Sequence, residues 1–545
     1  MSIETRSQTN RPRIGAKKRI LVCDELAPEA YEVFSERGYE AEPCWELSGM
    51  ELLDKVAGAH ALVVRSGTRV DRVLMEAAGT SLEVIGRAGV GVDNVDCQAA
   101  TERGVVVMNA PGANTTTTAE LAVALLCALA RNIPQADRSV RGGSWKKQGL
   151  MGTELAGKTL GVIGLGRIGG VVARRGQGLE LHVIAYDPYV GTGTSPVPNV
   201  ELVELDELLE RSDFVSLHVP MLDSTRHLLS RERIARMKPG ARLINCARGG
   251  LIDEVALAEA LASGHLRGAA LDVFEVEPPP PDHPLLARED VIVTPHLGAS
   301  SSEAQRNVAI DIARQICDFL SDGVAVSAVN APAVSAETLR AIGPYVALAE
   351  RLGSFLAQTV APPLRSLEIS VSGDIESKDT SHIALAILVG VLRSVLAGPV
   401  NFVNAPSLAA ERGLRLTEVP EDETHFLHSQ VKVRAFGRDA SHVVAGSVFG
   451  REPRLVRVDG THLDMALSGP LLITRHDDQP GVVGLLGTKL GQHGINIRRI
   501  ELGPASDAKD GLARGFLALY DEPAPNVVAE LAALPLIRSI QLVHL

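Results

Sequence analysis

The chain has 545 residues, a formal net charge of −12, and 45% hydrophobic but only 3% aromatic residues. This length predicts about three or four domains, and the composition excludes collagen-like, disordered and disulfide-stapled classes. The acidic balance gives no support for nucleic-acid binding or for an anionic membrane surface, so neither partner is expected.

The first 18 residues are predicted to form a flexible basic tail. They lack the apolar stretch of a secretory signal, although a transit peptide is an open alternative. No apolar run in the chain reaches the length of a membrane span. The six cysteines are scattered and form no CxxC pair, which is typical of a reducing compartment. We therefore expect a cytoplasmic protein.

From residue 19 to about 330, short β-branched runs alternate with helical segments, which predicts parallel sheets with βαβ crossovers. Strands are predicted at 19–23, 61–64, 83–86, 105–109, 160–163, 182–186, 214–218, 242–245, 268–273 and 291–294. Helices are predicted at 116–130, 168–177 and 254–262, and a long amphipathic helix at 305–320. The helix at 116–130 is apolar on most faces, which favours a homo-oligomer, either a dimer or a tetramer.

The pattern changes after residue 331. Residues 331–465 mix predicted helices at 342–358 and 382–396 with strands at 367–371, 430–436 and 455–458, which indicates an α+β unit. Residues 466–545 follow the order strand, helix, strand, strand, helix, strand. That order predicts a ferredoxin-like fold.

The sharpest motif is GLGRIG at 164–169, which directly follows a predicted strand and opens a predicted helix. Gly164 permits a tight turn, Gly166 lets the backbone approach a pyrophosphate, and Gly169 lets the helix pack on the strand. The next strand ends at Asp187, whose carboxylate suits ribose hydroxyls and repels a 2′-phosphate. The motif therefore predicts a dinucleotide site that prefers NAD over NADP.

Three further residues stand at predicted strand ends, where ligands of open α/β sheets collect. Arg248 offers a planar fork for a carboxylate. His296 has a pKa range suited to taking up an alcohol proton, and Glu277 is expected to hold its tautomer. Hydride transfer at a hydroxy carbon needs this combination of a base and an orienting cation.

The stretches GRAGVGVDNVD at 86–96, NAPG at 109–112, GKTLGVIGLGRIG at 157–169, NCARGG at 245–250 and PHLGASS at 295–301 resemble the D-isomer-specific 2-hydroxyacid dehydrogenases. The resemblance implies that Arg248 orients and polarises the substrate, Glu277 is the acid partner, and His296 is the acid/base. Among the branches of this family, the chain is most similar to the long one that oxidises D-3-phosphoglycerate to 3-phosphohydroxypyruvate, the first step of L-serine biosynthesis.

The resemblance also implies the domain plan, an α/β chain with a Rossmann-like nucleotide domain inserted in a flavodoxin-like substrate domain. The substrate domain is expected at 19–110 plus 300–330, the NAD domain at 111–299, an intervening α+β domain at 331–465 and a ferredoxin-like ACT domain at 466–545.

The implied substrate site contains residues around the phosphate, namely Arg65, Ser66, Arg87 and Asn109. The implied cofactor site collects residues from several strand ends: Val90, Gly164, Gly166, Arg167, Ile168, Gly169, Asp187, Val219, Cys246, Ala247, Arg248, Asp272, His296 and Gly298. Cys246 is expected to contribute its backbone only, because no base or metal partner is evident. No metal site is expected.

The C-terminal unit resembles an ACT domain, a regulatory module for amino acids, through DQPGVVG at 478–484 and LGQHGINI at 490–497. Asp478 and Asn496 match positions that bind serine in that family, and His476 stands beside them. The resemblance therefore implies serine as an effector. A dimerisation sheet that senses no ligand is the alternative.

Two other functions are open at this point. One is a different D-2-hydroxyacid dehydrogenase, of the 2-hydroxyglutarate or glyoxylate type. The other is an NAD-sensing corepressor on the same fold, against which the folded C-terminal unit argues.

Overall fold

The computed structural model describes residues 18–191, 195–334, 336–376, 380–421, 429–438, 441–504 and 512–545. The predicted basic tail therefore lies outside the described residues, except for Lys18.

A five-stranded parallel sheet comes first in the chain. Its strands are β1 (Arg19–Val22), β2 (Glu40–Pro43), β3 (Ala61–Val64), β4 (Val84–Arg87) and β5 (Val106–Asn109), in the order β2-β1-β3-β4-β5. The connecting helices are α1 (Glu29–Glu36), α2 (Gly49–Val56), α3 (Arg72–Ala78) and α4 (Cys97–Glu102). This is the predicted flavodoxin-like order. Strand β2 was not predicted, because EAEP has no β-branched or aromatic residue and its residue types are depleted in strands.

A seven-stranded parallel sheet follows, after helices α5 (Thr115–Arg131) and α6 (Ile133–Arg141). Its strands are β6 (Thr159–Ile163), β7 (His182–Tyr186), β8 (Glu201–Leu202), β9 (Phe214–Leu217), β10 (Arg242–Asn245), β11 (Gly268–Leu271) and β12 (Val291–Val293). Its helices are α7 (Arg167–Gly178), α8 (Leu205–Arg211), α9 (Arg231–Arg236) and α10 (Glu254–Ala262). The order β12-β11-β10-β9-β6-β7-β8 is the Rossmann order, and the direction in which strands are added reverses between β6 and β9.

Helix α11 (Ser302–Asp322) returns the chain to the first sheet. Val308, Ile312 and Ile316 are buried in the same core as Ile20 and Met108. The first sheet is thus packed by segments from both sides of the second, which is the inserted arrangement that the family resemblance implied.

The middle unit contains α12 (Ala336–Thr359), α13 (Ser381–Val395) and α14 (Ala405–Glu411). Its mixed sheet has β13 (Ser366–Gly373), β14 (Arg415–Glu418), β15 (Ser429–Phe436), β16 (Ser441–Phe449), β17 (Glu452–Val458) and β18 (Thr461–Ala466), in the order β14-β13-β15-β16-β17-β18. The α+β prediction is confirmed. Strands β14, β16 and β18 were not predicted.

The last unit has β19 (Pro470–Asp477), α15 (Val482–Gln492), β20 (Ile497–Pro504), β21 (Leu512–Leu519), α16 (Pro525–Ala532) and β22 (Ile537–His544). The antiparallel order β20-β21-β19-β22 is ferredoxin-like, as predicted. One face of this sheet packs on its own helices through Leu486 and Leu531, and the other joins the middle core through Leu471, Phe516 and Val543.

Within the described ranges, no single helix has both the length and the apolar composition of a membrane span. Only α5 and α6 together reach them, as a pair bent by 63°.

Candidate active site

The carboxyl ends of the strands in the first two sheets open onto one cavity of about 890 Å³. Strand ends of parallel sheets collect ligands because the loops there carry side chains and unpaired backbone groups. Residues from both sheets form the wall, chiefly Arg65, Ser66, Arg87, Val90, Asp93, Asn114, Thr118, Arg167, Ile168, His218, Val219, Cys246, Ala247, Arg248, Asp272, Glu277, His296, Gly298 and Gln305.

His296 and Glu277 form a hydrogen-bonded pair in this wall. Nδ1 of His296 lies 2.7 Å from Oε2 of Glu277, and a carboxylate only accepts, so Nδ1 carries the proton and Nε2 is left to accept one. Burial works to raise the pKa of Glu277. The hydrogen bond and charge of His296 and the backbone N–H of Phe274 outweigh burial and hold that pKa below its usual value.

Asp272 fixes the loop that carries His296. Its Oδ1 accepts hydrogen bonds from Thr294 Oγ1 at 2.5 Å and from the N–H of Leu297 at 2.7 Å, and its Oδ2 accepts from the N–H of Gly298 at 2.9 Å. His296 itself has φ of +54°. A left-handed backbone at a non-glycine residue is costly, and it persists where neighbouring contacts impose it. The carboxylate of Asp272 supplies those contacts.

The guanidinium groups of Arg87 and Arg248 are neighbours in the cavity wall. Arg87 ends β4, and its buried Nε has no hydrogen-bond partner among the described residues. Burial, followed by the positive charge of Arg248, lowers the pKa of Arg87 to about 10. Buried charged groups are normally paired, so this side of the cavity is suited to an anion.

The glycine-rich turn has the geometry of a dinucleotide cradle. Gly164 has φ of +93°, and a Cβ at Gly169 would overlap the carbonyl oxygen of Gly164. Gly166 precedes helix α7, whose first N–H groups are unpaired and suit a pyrophosphate. Asp187 Oδ2 accepts a hydrogen bond from the N–H of Leu165 at 2.8 Å, which ties the predicted ribose-binding carboxylate to the turn.

Most predicted cofactor residues line the cavity, but four lie beside it. Gly164, Gly166, Gly169 and Asp187 form the adjoining turn and are not part of the wall. The thiol of Cys246 is buried, and burial followed by the charge of Asp272 raises its pKa, so it stays protonated at neutral pH.

The predicted substrate residues divide in the same way. Arg65, Ser66 and Arg87 line the cavity, whereas Asn109 does not. The Asn109 amide instead donates to the carbonyl of Val90 at 2.5 Å. The asparagine that does reach the wall is Asn114, which is buried and whose Oδ1 has no partner among the described residues.

Sequence reasoning missed several wall residues besides Asn114, namely Asp93, Thr118, His218 and Gln305. His218 directly follows β9, so its place at a strand end was a usable signal. Its Nε2 lies 2.8 Å from Ser216 Oγ, and burial lowers its pKa to about 4. The other residues belong to loops or helices whose approach to the cavity depends on packing between the two sheets.

The three predicted effector residues do not share one environment. His476 is buried, with Nδ1 3.1 Å from Thr474 Oγ1, and burial lowers its pKa. Asp478 and Asn496 are exposed near the start of α15 and before β20. Within the described ranges, no group of three or more potential metal-ligating side chains is present.

Comparisons with known proteins agree with this geometry. The NAD-binding domain of the D-isomer specific 2-hydroxyacid dehydrogenases matches residues 123–298, and the D-3-phosphoglycerate dehydrogenase intervening domain matches residues 341–459. The D-3-phosphoglycerate dehydrogenase of Archaeoglobus fulgidus is 40% identical, over 95% of this chain and 98% of its own length. That of Methanocaldococcus jannaschii is 41% identical, over 97% of this chain and 100% of its own length.

Solved structures resemble somewhat more than half of this chain. The TT0316 protein from Thermus thermophilus is 39% identical with a TM-score of 0.52, over 57% of this chain and 99% of that one. A glyoxylate reductase from Paecilomyes thermophila is 29% identical with a TM-score of 0.53, over 58% and 99%.

Fold, site and comparisons together define an NAD-dependent oxidoreductase of the D-isomer specific 2-hydroxyacid dehydrogenase class. Within that class, similarity extends through the middle and last units over nearly the whole chain. The chain belongs to the D-3-phosphoglycerate dehydrogenase family.

Proposed function

We propose that this enzyme oxidises D-3-phosphoglycerate to 3-phosphohydroxypyruvate with NAD, as the first step of L-serine biosynthesis. The observation that carries the proposal is the His296–Glu277 pair in one cavity with Arg248, Arg65 and Arg87. A substrate with a carboxylate at one end and a phosphate at the other needs several cations besides the base.

The proton moves through His296. Its Nδ1 is held by Glu277, so its Nε2 is the atom that takes the C2 hydroxyl proton. The imidazolium that results is stabilised by the Glu277 carboxylate, whose pKa is already below its usual value. NAD, when bound, accepts the hydride from C2.

The arginines hold the substrate. Arg248 binds the carboxylate and polarises the developing 2-oxo group. Arg87, with its unpartnered Nε, binds the phosphate together with Arg65 and Ser66. Asn109 stays in the proposed substrate site through its hydrogen bond to Val90, and Asn114 presents a buried acceptor to a donor group in the cavity.

The cofactor residues fit a dinucleotide. The turn at 164–169 and the start of α7 would hold the pyrophosphate, and Asp187 the adenosine ribose. Val219, Cys246, Ala247 and Asp272 line the cavity beside His296 and Glu277 and would hold the nicotinamide. Asp187 is followed by Pro188 and Tyr189, so these two positions supply no arginine for a 2′-phosphate.

The domain plan expected from the sequence is retained in this proposal, with the boundaries 19–110 plus 300–330, 111–299, 331–465 and 466–545.

The last unit is proposed to be an ACT domain that binds serine. Its support is Gly481, with φ of +99°, which starts helix α15 between the exposed Asp478 and Asn496. His476 is buried in the sheet and would shape this site from beneath.

A homo-oligomer in the cytoplasm completes the proposal. The apolar face of α5 is largely covered by the second sheet, so it no longer supports an interface. Support for a homo-oligomer comes instead from residues 133–151, where Ile133, Val140, Trp145 and Met151 are exposed.

The proposed cytoplasmic location is supported by the six free cysteines, which fit a reducing compartment.

Initial rates test the reaction. We expect NAD reduction with 3-phosphoglycerate, much slower reduction with D-glycerate, and inhibition by added serine. Reverse rates with glyoxylate and 2-oxoglutarate serve as comparisons. Faster turnover of either phosphate-free substrate would instead identify another 2-hydroxyacid dehydrogenase.

A further inference from the structure

Asp93 places a negative charge beside Arg248 and Arg87, on the side of the cavity that is suited to an anion. Its Oδ2 lies 3.3 Å from Nε of Arg248, and its side chain is 73% exposed, against 26% for Arg248. Among the described residues, the carboxylate of Asp93 makes no other ion pair or hydrogen bond. Asp93 belongs to the loop after β4 in the first sheet, whereas Arg248 follows β10 in the second. The contact therefore crosses the cleft.

The contact uses a particular edge of Arg248. Nη1 of Arg248 donates to the carbonyl of Ala247 at 2.7 Å, so that end is engaged. A Cβ at Gly91 would overlap Nη2 of Arg248 and lie 2.6 Å from Oδ2 of Asp93. The edge formed by Nε and Nη2 therefore faces Asp93. That edge has the fork geometry that binds a carboxylate with two parallel hydrogen bonds.

The backbone around Asp93 is fixed. The Asn94 amide donates to the carbonyl of Arg65 at 2.8 Å and to that of Thr68 at 2.6 Å. The N–H of Val70 donates in turn to the carbonyl of Asn94 at 2.8 Å. Asp93 can therefore leave Arg248 by rotation of its side chain, without movement of the loop that carries Arg65.

The neighbouring charges explain why a carboxylate stands here. Arg87 and Arg248 are close enough for each to disfavour the charge of the other, and Asp93 partly offsets this repulsion. Glu277, the other carboxylate near Arg248, is already held by His296 and Phe274.

We infer that Asp93 is a surrogate carboxylate, which engages the Nε–Nη2 edge of Arg248 and is displaced from it by the carboxylate of the 2-hydroxy acid. That the displacing carboxylate belongs to a 2-hydroxy acid substrate rests on the proposed function. An exposed ion pair is weak, so a substrate that makes two hydrogen bonds replaces it. Until Asp93 rotates away, its charge repels the incoming anion. Asp93 thereby selects for ligands whose carboxylate engages both Nε and Nη2.

Equilibrium titration of the NAD-loaded protein with oxalate tests this directly. Asp93→Asn keeps the shape of the side chain and removes its charge, and we expect oxalate to bind about fivefold tighter. The gain should shrink at high salt, because screening already weakens the wild-type competition. Asp54→Asn makes the same charge change on α2, outside the cavity wall, and should leave the dissociation constant unchanged.

Unchanged or weaker oxalate binding in Asp93→Asn would overturn the inference, and weaker binding would show that Asp93 supports Arg248 instead of competing for it. A gain that persists at high salt would also count against it. The proposed function fails separately, through absence of turnover of 3-phosphoglycerate by the wild-type enzyme, and that result leaves the oxalate comparison intact.

Discussion

At the scale of single residues, the proposed chemistry depends on how Glu277 restrains His296. The 2.7 Å contact fixes the proton on Nδ1 and leaves Nε2 for the substrate hydroxyl. The Asp272 carboxylate accepts hydrogen bonds from the Thr294 hydroxyl before that ring and from the N–H groups of Leu297 and Gly298 after it. Base orientation and loop conformation are thus set by two different carboxylates.

Glu277→Gln should lower kcat by about 10²-fold, because an amide cannot neutralise the imidazolium that forms on proton uptake. NAD affinity should stay within about twofold of wild type, since Glu277 lies away from the glycine-rich turn. Initial rates and a fluorescence titration with NADH measure the two quantities. Equal kcat values for variant and wild type would remove Glu277 from the catalytic role.

His218 predicts a pH dependence of stability. Burial lowers its pKa to about 4 in the folded chain, whereas an unfolded histidine titrates near about 6.5. Between these values the unfolded chain binds the extra proton, so stability should fall as the pH decreases from about 6.5 to about 4.

His218→Asn should flatten this fall, as measured by the midpoint of thermal unfolding across that pH window. His182→Asn, at an exposed histidine of β7, is the matched control. A variant with the same pH slope as wild type would show that other groups cause the fall.

At the scale of elements, the turn and helix at 164–178 depend on one close approach. A Cβ at Gly169 would meet backbone, which cannot yield as a side chain does, whereas a Cβ at Gly178 at the other end of α7 would meet nothing within 4 Å. We expect Gly169→Ala to lower the unfolding temperature and abolish NAD binding. Gly178→Ala should preserve both. Normal NAD affinity in Gly169→Ala would show that α7 shifts without cost.

Asp187, which follows β7, is hydrogen-bonded to the glycine-rich turn. Replacing it with alanine removes the ribose acceptor and the repulsion of a 2′-phosphate, and also frees the N–H of Leu165. We expect NAD to bind about tenfold more weakly, as for loss of a hydrogen bond to a charged group, and NADP to become a usable cofactor. Dissociation constants for both cofactors check this. Retained discrimination would assign the preference to another residue.

At the scale of the whole molecule, the exposed apolar segment after α5 predicts assembly. Trp145 is 83% exposed, and large exposed aromatic residues are typical of an interface. Trp145→Glu should shift the chain toward a smaller species in analytical ultracentrifugation. Val73→Glu, at an exposed valine on α3, should not. An unchanged mass for Trp145→Glu would place the interface elsewhere.

Most of the fold is readable from the sequence because its signals are local. Alternating strand and helix patterns predict the two parallel sheets and the ferredoxin-like unit, and a strand followed by GLGRIG predicts the nucleotide turn. Strands β2, β8, β14, β16 and β18 escape this reasoning. Edge positions such as β2 and β14 are defined by hydrogen bonds to a neighbouring strand, more than by their own residues.

By itself, the sequence determines the class of protein and the cofactor, and it proposes His296, Glu277 and Arg248 as the residues that carry the reaction. Arg248 and His296 stand after strands within long motifs, and Glu277 lies in the loop that follows β11. Only the tertiary structure decides which asparagine lines the cavity, that His218 lies in its wall, and that Asp93 meets Arg248 across the cleft. Those contacts join segments far apart in the chain, and their distances depend on how two sheets pack around α11, which no local pattern records.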